Sequence, residues 1–157
     1  MDEDPVILRI LMNGLRDRYD LSCASDGAEA LRRISAGSQA LDCILIAAKL
    51  PKISGYELCG MIRQEHSGTQ LPNIMMTDQG KPADIEDAFA SGANDVVTKP
   101  ASIFELRARL KTHIELSKLN DAYARFVPRD FLRFFGKASI IDTRLGEHIE
   151  SDMTILV

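Results

Sequence analysis

The chain reads as an α/β protein built on a parallel sheet, and three observations predict this. Short, almost wholly apolar runs occur at Cys43–Ala48 and Asn73–Thr77, with a further short run at Asp95–Thr98, as expected of strands covered on both faces. Amphipathic stretches separate them, each opened by a helix-start signal. Strands alternating with helices of about ten to fifteen residues mean βαβ units and a parallel sheet. Right-handed crossovers then place helices on both faces.

Taken in order, Pro5–Tyr19 carries Ile7, Leu8, Leu11 and Leu15 at helical spacing, with Asp4 and Pro5 as cap and first-turn residue. Leu21–Ser25 is a short strand candidate. Asp26-Gly-Ala-Glu29 opens a second helix in capping-box style, with Ala30, Leu31 and Ile34 inward. Ser54-Gly-Tyr-Glu57 is a further capping box ahead of Leu58, Met61 and Ile62. Pro82–Ser91 is a helix stopped by Gly92, and Ser102-Ile-Phe-Glu105 caps a longer one carrying Leu106, Leu110 and Ile114.

Composition narrows the function. The 157 residues are 45% hydrophobic and 27% charged, which suits a folded domain rather than a disordered chain. A net charge of −4 argues against a general nucleic-acid-binding surface. No apolar run reaches the roughly 20 residues of a membrane helix, so no membrane partner and a cytoplasmic location are expected. Cys23, Cys43 and Cys59 stand in no ligand spacing and read as small buried hydrophobes. His66, His113 and His148 are scattered, and Arg125, Arg129 and Arg133 read as a solvated stripe. Phosphate-binding glycine loops and nucleophile elbows are missing, so the chain is not expected to be an enzyme or to carry a cofactor.

In an open parallel sheet, chemistry sits at the carboxyl ends of the strands. Those ends are approached by Asp2-Glu3, Ala47–Pro51, Thr77-Asp78 and Lys99-Pro100. With Ala24-Ser-Asp-Gly-Ala-Glu-Ala-Leu31, Gly55-Tyr-Glu-Leu58 and Ser91-Gly-Ala-Asn-Asp95, these stretches resemble a response-regulator receiver domain over nearly all of residues 2–118. The resemblance implies a flavodoxin-like, doubly wound fold of strand order 2-1-3-4-5. It also implies phosphoryl transfer from a histidine kinase to an aspartate after the third strand, with Mg²⁺ on an acidic pair and that aspartate. By position, Asp2 and Glu3 match the acidic pair, Thr77 the switch hydroxyl, Lys99 the lysine, and Pro100 the proline that follows a cis bond.

The phosphoacceptor departs from the pattern. Four residues before Pro51 stands Ala47. Asp42 lies about 16 Å away along an extended strand, toward the opposite end of the sheet, and Ser54 is engaged as a helix cap. The expectation is a degenerate receiver with at most weak Mg²⁺ affinity. Asp78, where receivers carry a small residue, either pairs with Lys99 as a substitute charge or caps the following loop. The family's hydrophobic first strand has no counterpart ahead of the acidic pair, so a sheet without its middle strand is expected.

Beyond Ile114 the apolar positions shift to Leu116, Leu119, Tyr123 and Phe126, spaced three, four and three. They read as a short coiled-coil seam of a homodimer, or as a helix tail packed on its own domain. Ala122–Leu132, Leu145-Gly-Glu147 and Met153-Thr-Ile-Leu156 resemble the segment that precedes class III adenylate/guanylate cyclase domains. The expected organisation is a receiver-like domain at 1–115, a signalling helix and short helix at 116–137, and the truncated start of a cyclase-like domain at 138–157. The function this implies is a non-enzymatic input module that controls a fused cyclase. The alternative is an adaptor that binds a histidine kinase or another signalling protein.

Overall fold

The computed structural model describes residues 5–36, 41–78 and 80–126, with side chains up to Tyr123. Asp2, Glu3, the Phe126 side chain and the segment from residue 127 onward lie outside the described residues. The chain divides into two compact units, Met1–Ser117 and Lys118–Val157. Eight elements are described: α1 (Pro5–Leu15), α2 (Gly27–Ser35), β1 (Ile44–Ala47), α3 (Gly55–Glu65), β2 (Asn73–Thr77), α4 (Pro82–Ala90), β3 (Asp95–Thr98) and α5 (Ile103–Phe126). The strands form a parallel sheet in the order β1-β2-β3.

Side chains alternate across the sheet, so each strand feeds two cores. Ile46 and Met75 join Leu58, Cys59 and Ile62 of α3, Ala30 of α2 and Ala88 of α4 on one face. Ile74, Met76 and Val97 join Leu11 and Leu15 of α1 and Leu106 and Leu110 of α5 on the other. β2, flanked on both sides, is buried at every residue. This is the flavodoxin-like, doubly wound arrangement.

Two local expectations need correction. Leu21–Ser25 is not a strand, because no described strand offers it a ladder partner. A single strand without a ladder has no stable hydrogen-bonded form. Helix α1 ends at Leu15 rather than Tyr19. Arg107 Nε donates to the Gly14 carbonyl at 2.8 Å, occupying an acceptor that a further helical turn would use.

The caps follow the chemistry of their residues. Ser54 and Glu57 form the full reciprocal box at α3. At α2, Asp26 accepts from the Glu29 amide, but the Glu29 carboxylate reaches one residue further back, to the Ser25 amide at 2.8 Å and its hydroxyl at 2.7 Å. The second Asp26 oxygen takes Lys52 Nζ at 2.6 Å, tying α2 to the loop after β1.

The amino ends of the strands are closed by a polar network. Arg63 donates to the carbonyls of Gly92 and Leu71 and to Asn94 Oδ1. Asn94 Oδ1 also accepts from the Asn73 amide at 2.9 Å. Gly92 sits at φ +98°, and a Cβ there would meet Arg63 Cγ at 2.6 Å. Among the described residues, Arg63, Asn94 and the backbone groups around them thus satisfy one another at this end.

Candidate functional site

Strand register assembles the carboxyl end. Ala47 pairs with Met76 and Thr77 with Thr98, so the residues after β1, β2 and β3 leave the sheet at one level. Two bonds extend the ladder beyond the strands: the Ala48 amide donates to Met76 O at 2.8 Å and the Lys99 amide to Thr77 O at 2.7 Å. They hold Lys49, Asp78 and Lys99 around one point. The Gly55 amide donates to Ala48 O, closing the β1–α3 turn. A Cβ at Gly55 would overlap the Ala47 carbonyl oxygen, so only glycine lets α3 start so close to the strand.

Ala47 is fully buried and presents a methyl group at the end of β1. Asp42 is exposed at the far end of that strand, and Ser54 is spent on its capping box. Thr77 is 2% exposed, and its Oγ1 has no hydrogen-bond partner among the described residues. The Lys99–Pro100 peptide is cis. Among the described residues, no three His, Cys, Asp or Glu side chains converge as metal ligands.

Asp78 pairs with two lysines. Its Oδ2 accepts from Lys49 Nζ at 2.8 Å, and Lys99 Nζ lies 3.5 Å from Oδ1. The Lys49 hydrogen bond, more than the Lys99 charge, holds the Asp78 carboxyl below the usual carboxylate range. Sequence reasoning singled out the Lys99 contact and missed Lys49. The available signal was position, since Lys49 follows Ala47, the last residue of β1, by two residues.

A cavity of about 310 Å³ opens beside this pair, lined by Ala48, Lys49, Tyr56, Thr77, Asp78, Lys81 and Asp84. Tyr56, Lys81 and Asp84 were also missed, because they belong to the first turn of α3 and the start of α4. Burial raises the Tyr56 phenol, and Asp84, Asp87 and Asp78 raise it further.

On α5, Leu116, Leu119 and Tyr123 are about half exposed, at 51%, 50% and 47%. Ser117, between them, is buried and its hydroxyl donates to Gln70 O at 3.3 Å. The three apolar side chains are thus turned to solvent in the single chain. No helix among the described residues is long and apolar enough to cross a membrane.

A doubly wound sheet with a hydroxyl, a lysine and a cis proline at its carboxyl end defines a signalling module of the two-component type. The chain belongs to the response regulator receiver domain family, whose model matches residues 1–111. It is 34% identical over 118 residues to the alkaline phosphatase synthesis transcriptional regulatory protein of Bacillus subtilis, covering 75% of this chain and 48% of that protein. A probable cyclic di-GMP phosphodiesterase of Vibrio cholerae is 30% identical over 77% of this chain and 27% of its own length. The chain thus spans half or less of the length of these relatives. Among solved structures, a putative response regulator from Chloroflexus aurantiacus superimposes with a TM-score of 0.67 at 33% identity, covering 73% of this chain and 93% of that one. The receiver domain of a Pseudomonas aeruginosa sensor histidine kinase, solved with magnesium in its active-site cleft, gives 0.65 at 31% identity, covering 73% and 93%.

Proposed function

We propose that this receiver is a pseudo-receiver: it takes part in two-component signalling without being phosphorylated at the usual position. The observation that carries the reading is Ala47, a methyl group at the end of β1 where the family's chemistry needs a carboxylate nucleophile. The same substitution removes one of the three carboxylates that would hold Mg²⁺, which leaves Asp2 and Glu3 to bind that ion weakly at most. Thr77, Lys99 and the cis Pro100 remain in the family pattern. Asp78 lies between Lys49 and Lys99 and supplies a permanent negative charge where a phosphoryl group would bring a transient one.

The output then runs through α5. Leu116, Leu119 and Tyr123 keep their apolar faces in solvent at coiled-coil spacing, which suits a homodimer seam. The resemblance of the segment from Ala122 onward to the approach of class III cyclases makes the controlled partner a fused cyclase domain. A change in helix pairing would set the approach of two catalytic domains without any contact to substrate.

Incubation with acetyl phosphate or beryllofluoride and Mg²⁺ tests the first half, read by intact mass and amide spectra. No covalent adduct is expected from wild type. Ala47→Asp is expected to restore labelling, and a wild-type adduct would return the domain to the phosphorelay. Sedimentation of wild type against Leu119→Lys tests the seam, which requires a dimer that the lysine dissociates.

A further inference from the structure

Helix α5 is tied to the sheet by a contact that can titrate. Its anchor is Asp95, the first residue of β3. Asp95 Oδ1 accepts from the Val96 amide at 2.8 Å, and Arg109 Nη1 reaches both carboxylate oxygens at 2.8 Å. One turn further along α5, His113 Nε2 stands 3.2 Å from Asp95 Oδ2, with both side chains 18% exposed. After one more turn the buried Ser117 hydroxyl donates to Gln70 O. Arg109, His113 and Ser117 thus recur every four residues on the face that α5 turns to its own domain.

The cluster carries a surplus negative charge while His113 is neutral. Asp95 and Glu105 bring two carboxylates, and Arg109, bonded to both, brings one cation. Other groups that meet α5 do not alter this balance. From α1, Asp17 is taken by Arg107, and the α3–β2 loop contributes the uncharged Gln70. Cys43, which shares a core with Ile114, has its thiol pushed up to about 12 by burial and stays neutral. Burial pushes the Asp95 carboxyl up, but Arg109, the Val96 amide and His113 together hold it below its usual range. The anchor therefore stays ionised while a histidine titrates. A neutral ring can carry its hydrogen on either nitrogen, whereas the protonated ring always donates from Nε2. The bond then joins two ions, and such charge-assisted bonds are about twice as strong as neutral ones.

We propose that His113 is a proton-sensitive latch on the output helix: protonated, it fastens α5 to β3 through Asp95, and neutral, it slackens that turn. Leu116 follows three residues later and opens the apolar series Leu116, Leu119 and Tyr123. The latch therefore sets how rigidly the helix presents this series. A helix already held in place loses less freedom on pairing, so the closed latch favours the dimer. Acidification through the histidine range, about pH 8 to pH 6, then acts as an input that needs no phosphoryl group. Where it concerns the dimer, the inference rests on the reading of those three residues as a homodimer seam.

The test is amide hydrogen exchange of the full chain at about pH 6 and about pH 8, corrected for intrinsic rates, with sedimentation under the same conditions. Wild type is expected to protect the amides of residues 110–117 about fivefold more at the lower pH, the difference between a charged and a neutral hydrogen bond. Its dimer dissociation constant is expected to fall in the same direction. His113→Gln keeps a side-chain donor without a titrating ring and is expected to flatten both responses. Asp95→Asn is expected to flatten them too, because the anchor has lost its charge. Equal protection at the two pH values in wild type would overturn the latch, as would a pH response that His113→Gln retains. Protection that follows pH in a chain that is monomeric at both values overturns the seam and supports the latch. A dimer whose affinity ignores pH while protection changes overturns the link between the two.

Discussion

Replacing Thr77 by valine is expected to stabilise the domain. Both residues are β-branched and nearly equal in size, so strand propensity and rotamer freedom hardly change. The residue is 2% exposed at the end of the fully buried β2, and its Oγ1 makes no hydrogen bond among the described residues. An unsatisfied buried hydroxyl costs about 1–3 kcal/mol, and the methyl that replaces it recovers about 0.8 kcal/mol of burial. Because the residue borders a cavity that solvent can enter, the low end applies, and a net gain of about 1 kcal/mol follows. For a unit of this size that corresponds to a rise in Tm of about 4 °C. Urea unfolding should show a higher midpoint with an unchanged slope. A variant less stable than wild type by a similar amount would refute the reasoning, because it would mean that the hydroxyl has a partner in the folded state. A residue retained at a cost to stability is the pattern expected of a functional group.

Other outcomes test the surroundings of the site. Glu29 is pushed down to about 2, chiefly by the Ser25 amide and hydroxyl and then by Arg33. Its contribution is therefore fully present above the ordinary carboxylate value and is lost as pH falls through about 2; a carboxyl-carbon titration with a midpoint near 4 would refute the network. Gly55→Ala puts a Cβ against the Ala47 carbonyl and should destabilise by about 2 kcal/mol or more, read by urea midpoint. Asp78→Asn removes a carboxylate whose folded value is lowered by Lys49 and Lys99, so the variant should lose less stability than wild type as pH falls below about 4. The difference should stay under about 1 kcal/mol for so exposed a pair, and acid unfolding curves that coincide would show that the pairs add nothing in solution.

Most of the fold was legible because its signals are local. A serine and a glutamate three residues apart satisfy each other's backbone at the start of α3 whatever the rest of the chain does. The apolar run Asn73–Thr77 can only be a strand covered on both sides, and it is. Where the signal needed a distant partner, reading failed. Leu21–Ser25 has strand-like residues but no ladder among the described residues. One local detail was missed as well: Glu29 reaches Ser25, four residues back, where both the amide and the hydroxyl donate to it.

The site divides along the same line. Position in the motif was enough to single out Ala47, Thr77, Lys99 and Pro100, because the order of strands in a parallel sheet sends their carboxyl ends to one edge. The charge balance at that edge was decided in three dimensions. Lys49 and Asp78 stand 29 residues apart and meet only because β1 and β2 pair in the register that sets Ala47 beside Met76. The cleft lined by Tyr56 of α3, Thr77 of β2 and Asp84 of α4 depends on how closely Gly55 lets α3 approach the sheet. Spacing along the chain encodes which residues belong to an element. Register and helix approach arise from packing over the whole core, and they decide which side chains finally share a pocket.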